Sequence, residues 1–289
     1  MIVKRAATAG FCMGVSLALH KLDTAILNNG QANAPMRHIC TFGPIIHNPQ
    51  VLEDYERQGV RCINAPGEAT AEDRVIIRAH GVPRGEEASL TGSGAAIVDA
   101  TCPKVKRAQL SIFRATRDGS GLLLFGEADH PEVRGLISYA NGESHVFTVP
   151  QALDDMELDP AKSWVLAAQT TQDSSAFAHI RATLEKRLPR LKVLSTICDA
   201  TGERQKEARA IASGGEVQAM VVIGGRASGN TRRLAALAAE AGITTYHVED
   251  IDELTPDVFA GITCVGLTAG ASTPRRLIDK AEAWLRAIG

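Results

Sequence analysis

Three cysteines recur at nearly one interval along the chain. Cys12 sits in Gly10-Phe11-Cys12-Met13-Gly14, Cys102 in Asp99-Ala100-Thr101-Cys102-Pro103, and Cys198 in Ile197-Cys198-Asp199-Ala200-Thr201. They stand 90 and 96 residues apart, and each falls where an apolar, strand-like run gives way to a helical pattern. A polar residue follows each cysteine after 28 to 35 residues, four positions past a strand-ending glycine: His47 after Gly43, His130 after Gly126 and Ser228 after Gly224. A second polar residue follows the next strand: His80, Thr170 and Ser272, offset by 68, 68 and 74 from the cysteines. A period near 90 residues predicts three copies of one α/β unit. The expected bounds are 13–101, 102–196 and 197–289, with residues 1–12 packing against the third copy.

Within each copy, short Val/Ile/Leu runs alternate with amphipathic stretches, which predicts βα units with mainly parallel sheets. Strands are expected over 74–78, 122–125, 164–168, 220–223 and 264–268, among others, and one over 193–196 leads into Cys198. Helices are expected over 15–27, 48–58, 103–117, 131–139, 174–188, 203–212, 231–241 and 274–288. In parallel sheets, ligands collect beyond the carboxyl ends of the strands, where helix N-termini offer unpaired N–H groups. The cysteines and the polar residues all fall at such ends. Three copies facing one another would bring three thiolates together, ringed by short polar side chains suited to phosphate.

Composition removes several functions. Aromatic residues make up 4% of the 289 residues, too few for base-stacking platforms. The net charge of −2 comes with no basic run, which argues against a nucleic-acid partner. No stretch is long and apolar enough for a membrane span, and Met1-Ile2-Val3-Lys4-Arg5 carries no apolar signal region. Six cysteines with no close pairing fit the reducing cytoplasm.

Cys40, Cys62 and Cys264 lie within apolar strand patterns and read as small buried hydrophobes. For Cys12, Cys102 and Cys198 two ligand chemistries stand. Zinc takes four protein ligands, or three and a water; three thiolates without a local Cys-x-x-Cys also suit an iron–sulfur cluster with one iron left open. Glu132 falls in the first turn of a helix, where the dipole favours an acid, and lies two residues from His130. Gly224-Gly225-Arg226-Ala227-Ser228-Gly229-Asn230-Thr231 reads either as a phosphate loop or as a Gly-rich turn with an N-cap. His20, His38, His145, His179 and His247 follow no pattern.

The motifs, taken together and in order, resemble the LytB/IspH family of 4-hydroxy-3-methylbut-2-enyl diphosphate reductases. They include Gly10-Phe11-Cys12-Met13-Gly14-Val15, Ile46-His47-Asn48, Ala79-His80-Gly81-Val82 and Asp99-Ala100-Thr101-Cys102-Pro103. His130-Pro131-Glu132-Val133, Gln169-Thr170-Thr171, Ile197-Cys198, Arg204-Gln205 and Thr268-Ala269-Gly270-Ala271-Ser272 complete the set, which covers the whole chain. The resemblance implies three α/β units in a trefoil around a 4Fe-4S cluster held by Cys12, Cys102 and Cys198, with one open iron. It implies a substrate pocket lined by His47, His80, His130, Thr170, Ser228, Gly229, Asn230 and Ser272, with Glu132, Thr170 and His130 as the catalytic group. The implied reaction is a two-electron reductive dehydroxylation of an allylic diphosphate, with ferredoxin or flavodoxin as electron donor. The three histidines are expected to bind the diphosphate in their protonated form. Two positions depart from the family pattern: Gly229 stands where a second serine is common, and Ser16 where an acid is common. An iron–sulfur hydro-lyase would turn over without reductant, and a non-enzymatic redox or zinc module would tolerate loss of Glu132; both outcomes separate them from the reductase.

Overall fold

The structure, a computed structural model, describes residues 1–31 and 37–288; residues 32–36 and 289, in the first and third expected copies, lie outside the described residues. The strand β1 (Ile2–Arg5) and helix α1 (Met13–Leu27) open the chain. Next come β2 (His38–Phe42), α2 (Pro49–Glu56), β3 (Arg61–Ile63), β4 (Asp73–Ile77), α3 (Arg84–Gly92) and β5 (Ala96–Asp99). These four strands form one sheet in the order β3-β2-β4-β5. The elements α4 (Pro103–Ala115), β6 (Gly121–Phe125), α5 (Pro131–Ile137), β7 (Ser144–Phe147), β8 (Trp164–Ala168), α6 (Ser174–Arg187) and β9 (Leu191–Val193) follow. Their sheet has the order β7-β6-β8-β9. The chain closes with α7 (Asp199–Ser213), β10 (Ala219–Ile223), α8 (Gly229–Glu240), β11 (Thr244–Val248), β12 (Cys264–Ala269) and α9 (Arg275–Ala287). The third sheet reads β1-β12-β10-β11, so β1 supplies the edge strand that β5 and β9 supply in the others. Every strand pair among the described residues is parallel.

The chain divides into two compact units. One comprises Met1–Ser16, Ile46–Tyr55 and Asp199–Gly289; the other comprises Leu17–Ile45 and Glu56–Cys198. In the first unit, Val221, Ile223, Val265, Leu267 and Ala269 bury one sheet face against Leu277, Ile278, Ala281 and Leu285 of α9. In the second unit, β6 and β8 are apolar at every position and are buried on both faces. Leu123, Phe125, Trp164 and Leu166 meet Ile180 and Leu184 of α6, while Leu122, Leu124, Val165 and Ala167 meet α4 and α5. Continuous apolar runs are what a parallel strand covered on both sides requires.

Several local expectations change. Cys40 and Cys264 are buried, but Cys62 is exposed, because β3 is a three-residue edge strand whose first two residues face outward. The helix α7 begins directly after Cys198 rather than at 203. Gly202 weakens a helix by about 1 kcal/mol, but Thr201, Arg204, Gln205, Ala208 and Ala212 are buried at helical spacing and carry it through. The strand β9 ends at Val193, short of the expected 193–196 run. There the Thr196 hydroxyl takes over the ladder, accepting from the Ala168 N–H at 2.8 Å and donating to the Ala168 carbonyl at 2.7 Å.

Candidate active site

In the second unit the site grows from the ends of β4, β6 and β8. Past β4 the chain turns sharply: Gly81 has φ +69, and its N–H donates to the Arg78 carbonyl at 3.0 Å. A Cβ at Gly81 would also meet the buried Gln109 amide at 2.7 Å, so only glycine fits after His80. Past β6, His130 caps α5. Its Nδ1 accepts the Glu132 N–H at 3.1 Å, and its ring meets that of His80 edge-on, with centroids 5.5 Å apart. An Nδ1 that accepts a hydrogen bond carries no proton. That contact leaves Nε2 as the ring nitrogen of His130 that can donate outward.

Glu132 is 2% exposed, and two bonds from Thr170 hold it. The Thr170 N–H donates to Oε1 at 2.6 Å, and its hydroxyl donates to Oε2 at 3.0 Å. Burial pushes the Glu132 carboxyl up to about 7, against the lowering pull of the Thr170 bonds. Thr170 also faces the cysteine: its carbonyl accepts the Cys198 N–H at 2.9 Å. One threonine thus links the acid to Cys198. Gln169, which sequence reasoning left without a role, is fully buried and accepts the Glu127 N–H at 3.1 Å, tying the β6 loop to this strand end. Its presence in Gln169-Thr170-Thr171 was the signal.

In the first unit, His47 and Ser272 come together, with the Ser272 hydroxyl donating to the His47 carbonyl at 3.0 Å. Gly225 runs against that same carbonyl; a Cβ there would lie 2.5 Å from it. Ser228 caps α8 by accepting the Thr231 N–H, which leaves its own hydrogen for another acceptor. The Gly-rich turn ends in an N-cap, a geometry that also presents N–H groups to an anion. Asn230 is 4% exposed, yet neither its amide nitrogen nor its oxygen has a hydrogen-bond partner. Buried polar atoms in that condition point to a ligand that completes them. Thr273 is a further positioning residue, its hydroxyl bound to the Ile223 carbonyl at the end of β10.

The six cysteines form no disulfide. Cys12 and Cys198 immediately precede α1 and α7, and Cys102 is the N-cap of α4. Each N–H donates to a carbonyl beyond a strand end: Cys12 to Ala271, Cys102 to Ala79 and Cys198 to Thr170. All three are partly exposed, whereas Cys40 and Cys264 are shut inside strands. Sulfur donors of this kind ligate soft metals. This donor set fits iron–sulfur ligation.

A family model described as LytB protein matches residues 3–286. The 4-hydroxy-3-methylbut-2-enyl diphosphate reductase of Desulfovibrio desulfuricans is 60% identical over all of both chains. The reductase of the same name from Nitratidesulfovibrio vulgaris (strain Miyazaki F) is 53% identical, again over all of both. Among solved structures, an (E)-4-hydroxy-3-methyl-but-2-enyl diphosphate reductase, described as the terminal enzyme of the non-mevalonate pathway, is 36% identical. It aligns with a TM-score of 0.70 over 99% of this chain and 100% of that one. The corresponding reductase of Plasmodium falciparum, 22% identical, shares the fold with a TM-score of 0.91 over 98% of this chain and 87% of its own. Among the described residues no helix is long and apolar enough to cross a membrane.

Proposed function

The chain belongs to the LytB family, and on that premise we propose that it reduces (E)-4-hydroxy-3-methylbut-2-enyl diphosphate to isopentenyl and dimethylallyl diphosphates, the last step of the non-mevalonate pathway. The observation that carries this reading is the buried Glu132 carboxyl, bound by Thr170, whose carbonyl in turn holds Cys198. An acid that still holds its proton on about half of the molecules at pH 7, one residue away from a candidate ligand cysteine, is what cleavage of an allylic C–O bond needs.

The family implies an iron–sulfur cluster. Cys12, Cys102 and Cys198 would hold it as a 4Fe-4S group, which supplies two electrons singly and one open iron as a Lewis acid for the allylic oxygen. The rest falls to the protein. When Glu132 is protonated, the Thr170 hydroxyl accepts from it and turns its own hydrogen outward to the leaving hydroxyl. When Glu132 is ionised, that hydroxyl donates back to the carboxylate, so the pair is a proton switch of one acid and one rotor. Two protons and two electrons enter per turnover: one proton leaves with the oxygen as water, the other ends on an allylic carbon.

The diphosphate is assigned to His47, Ser228, Gly229, Asn230 and Ser272 of the first unit and to His80 and His130 of the second. The N-terminus of α8 and the Nε2–H of His130 are donors that hold an anion without a buried lysine. The N–H of Gly229 stands in for the hydroxyl that this chain lacks there. The division into copies at 13–101, 102–196 and 197–289 belongs to the same reading. A cytoplasmic setting, where thiols stay reduced, and a ferredoxin or flavodoxin donor complete it.

The test is an anaerobic preparation assayed for iron, sulfide and turnover of the hydroxy diphosphate with reduced viologen. Glu132→Gln is expected to keep full iron and sulfide and to lose at least a hundredfold in kcat, the range of a general acid. Turnover without reductant, or a variant as active as the parent, would sink the proposal.

A further inference from the structure

The helix α4 carries Lys104, Lys106, Arg107 and Arg114 and no acidic residue, and among the described residues it is the one α-helix of which this is true. Its exposed positions are Pro103, Arg107, Leu110 and Arg114, continued by Arg117 just past its end. A spacing of four, three, four and three residues puts all five on one face. Leu110 stands in the middle of them, 39% exposed.

Among the described residues nothing neutralises this stripe. The side chains of Arg107, Arg114 and Arg117 make no hydrogen bond or ion pair among the described residues. The acids around the stripe already have cations: Lys106 binds Glu87 at 3.3 Å and Asp99 at 3.2 Å, and Lys192 binds Asp118 at 3.0 Å. Lys21 adds a further positive group, donating to the Asp99 carbonyl at 2.6 Å. In a chain of net charge −2, three unpaired arginines flanking an exposed leucine are a local anomaly. Arginine with an apolar centre is the composition of a protein interface. Phosphate-backbone binding spreads over more cations than this face carries.

The stripe also starts at the proposed site. Cys102 is the N-cap of α4, so at 1.5 Å per residue Arg107 lies about 7 Å and Leu110 about 12 Å along the axis from it. We infer that this face docks the electron carrier, an acidic one-electron protein that meets Arg107, Arg114 and Arg117 with carboxylates and Leu110 with an apolar patch. The inference rests on the reductase reading. Each encounter passes one electron and leaves the carrier oxidised by one. Two encounters, with two protons, supply the conversion of one C–O bond to a C–H bond and water. A short stripe suits a partner that must leave after each electron, since redox encounters use the smallest interfaces.

The test uses holoenzyme, an acidic 2Fe-2S ferredoxin as the probe and reduced methyl viologen as a carrier-independent reductant. The variants are R107E/R114E/R117E, L110S and, on the exposed face of α6, K186E as a control. Ferredoxin affinity is read by fluorescence anisotropy on both cluster-loaded and cluster-free protein. The triple variant is expected to weaken binding and ferredoxin-driven kcat/KM by about tenfold or more at low ionic strength. Viologen-driven turnover and the visible spectrum should stay unchanged, and the loss should shrink as salt screens the charges. L110S should weaken binding at all salt concentrations. The inference is overturned if the triple variant binds ferredoxin within twofold of the parent, if K186E loses as much, or if the parent binds duplex DNA through this stripe in preference to ferredoxin. Failure of the parent with viologen would refute the reductase reading instead, and the anisotropy would still report on the docking face.

Discussion

Replacing Glu132 by Gln should change how stability depends on pH, by an amount set by burial. The carboxyl moves from an ordinary 4.5 in the unfolded chain to about 7 in the folded one. A raised value means that the folded state prefers the protonated acid. Its contribution is fully present below pH 4.5 and is lost as pH rises toward and through 7. Between pH 5 and 8 the loss is about 2–3 kcal/mol, since each tenfold change in proton affinity is worth about 1.4 kcal/mol. Glutamine keeps the size of the side chain and an acceptor for the Thr170 N–H but has no proton to lose. Urea unfolding of the parent and Glu132→Gln, followed at pH 5, 6, 7 and 8, should therefore give a stability difference that moves by that amount in favour of the variant. Contributions common to both proteins cancel in the difference. Parallel profiles across this range would mean that Glu132 titrates like an exposed acid and that no stored proton is available to the Thr170 hydroxyl. The same value predicts that viologen-driven turnover of the parent falls above about pH 7.

Two further outcomes follow from the first unit. Asn230→Ala removes two buried atoms that have no hydrogen-bond partners, so the ligand-free protein should gain about 1 kcal/mol in urea unfolding while the KM for the diphosphate rises at least tenfold. Gly225→Ala places a methyl 2.5 Å from the His47 carbonyl, and the backbone must yield; a loss of about 1–3 kcal/mol in thermal unfolding is expected, with weaker substrate binding.

Much of this molecule could be read before its structure. The cysteine interval was legible because each key cysteine follows the fourth strand of a four-stranded parallel sheet, and that strand order recurs three times. The apolar runs of β6, β8, β10 and β12 announced themselves because both faces are buried. Edge elements were not legible. The strands β3 and β11 each have one buried residue, and α3 buries only Leu90, so none leaves a strong periodic signal. The positions of Glu132 and Thr170 were readable, but the bond between them joins residues 38 apart, and only the fold brings them together. Which ring nitrogen of His130 the protein occupies was not legible either, since a backbone N–H two residues on takes up Nδ1.

The bond from the Cys12 N–H to the Ala271 carbonyl spans nearly the whole chain, and β1 pairs with β12 near the chain's other end. At synthesis rates of about 5–20 residues per second, Cys12 waits roughly 13–50 s on the ribosome before its partner exists. Cys102, by contrast, is bonded to Ala79, already made when it emerges. The first of the three cysteines to be translated is therefore the last to be fixed.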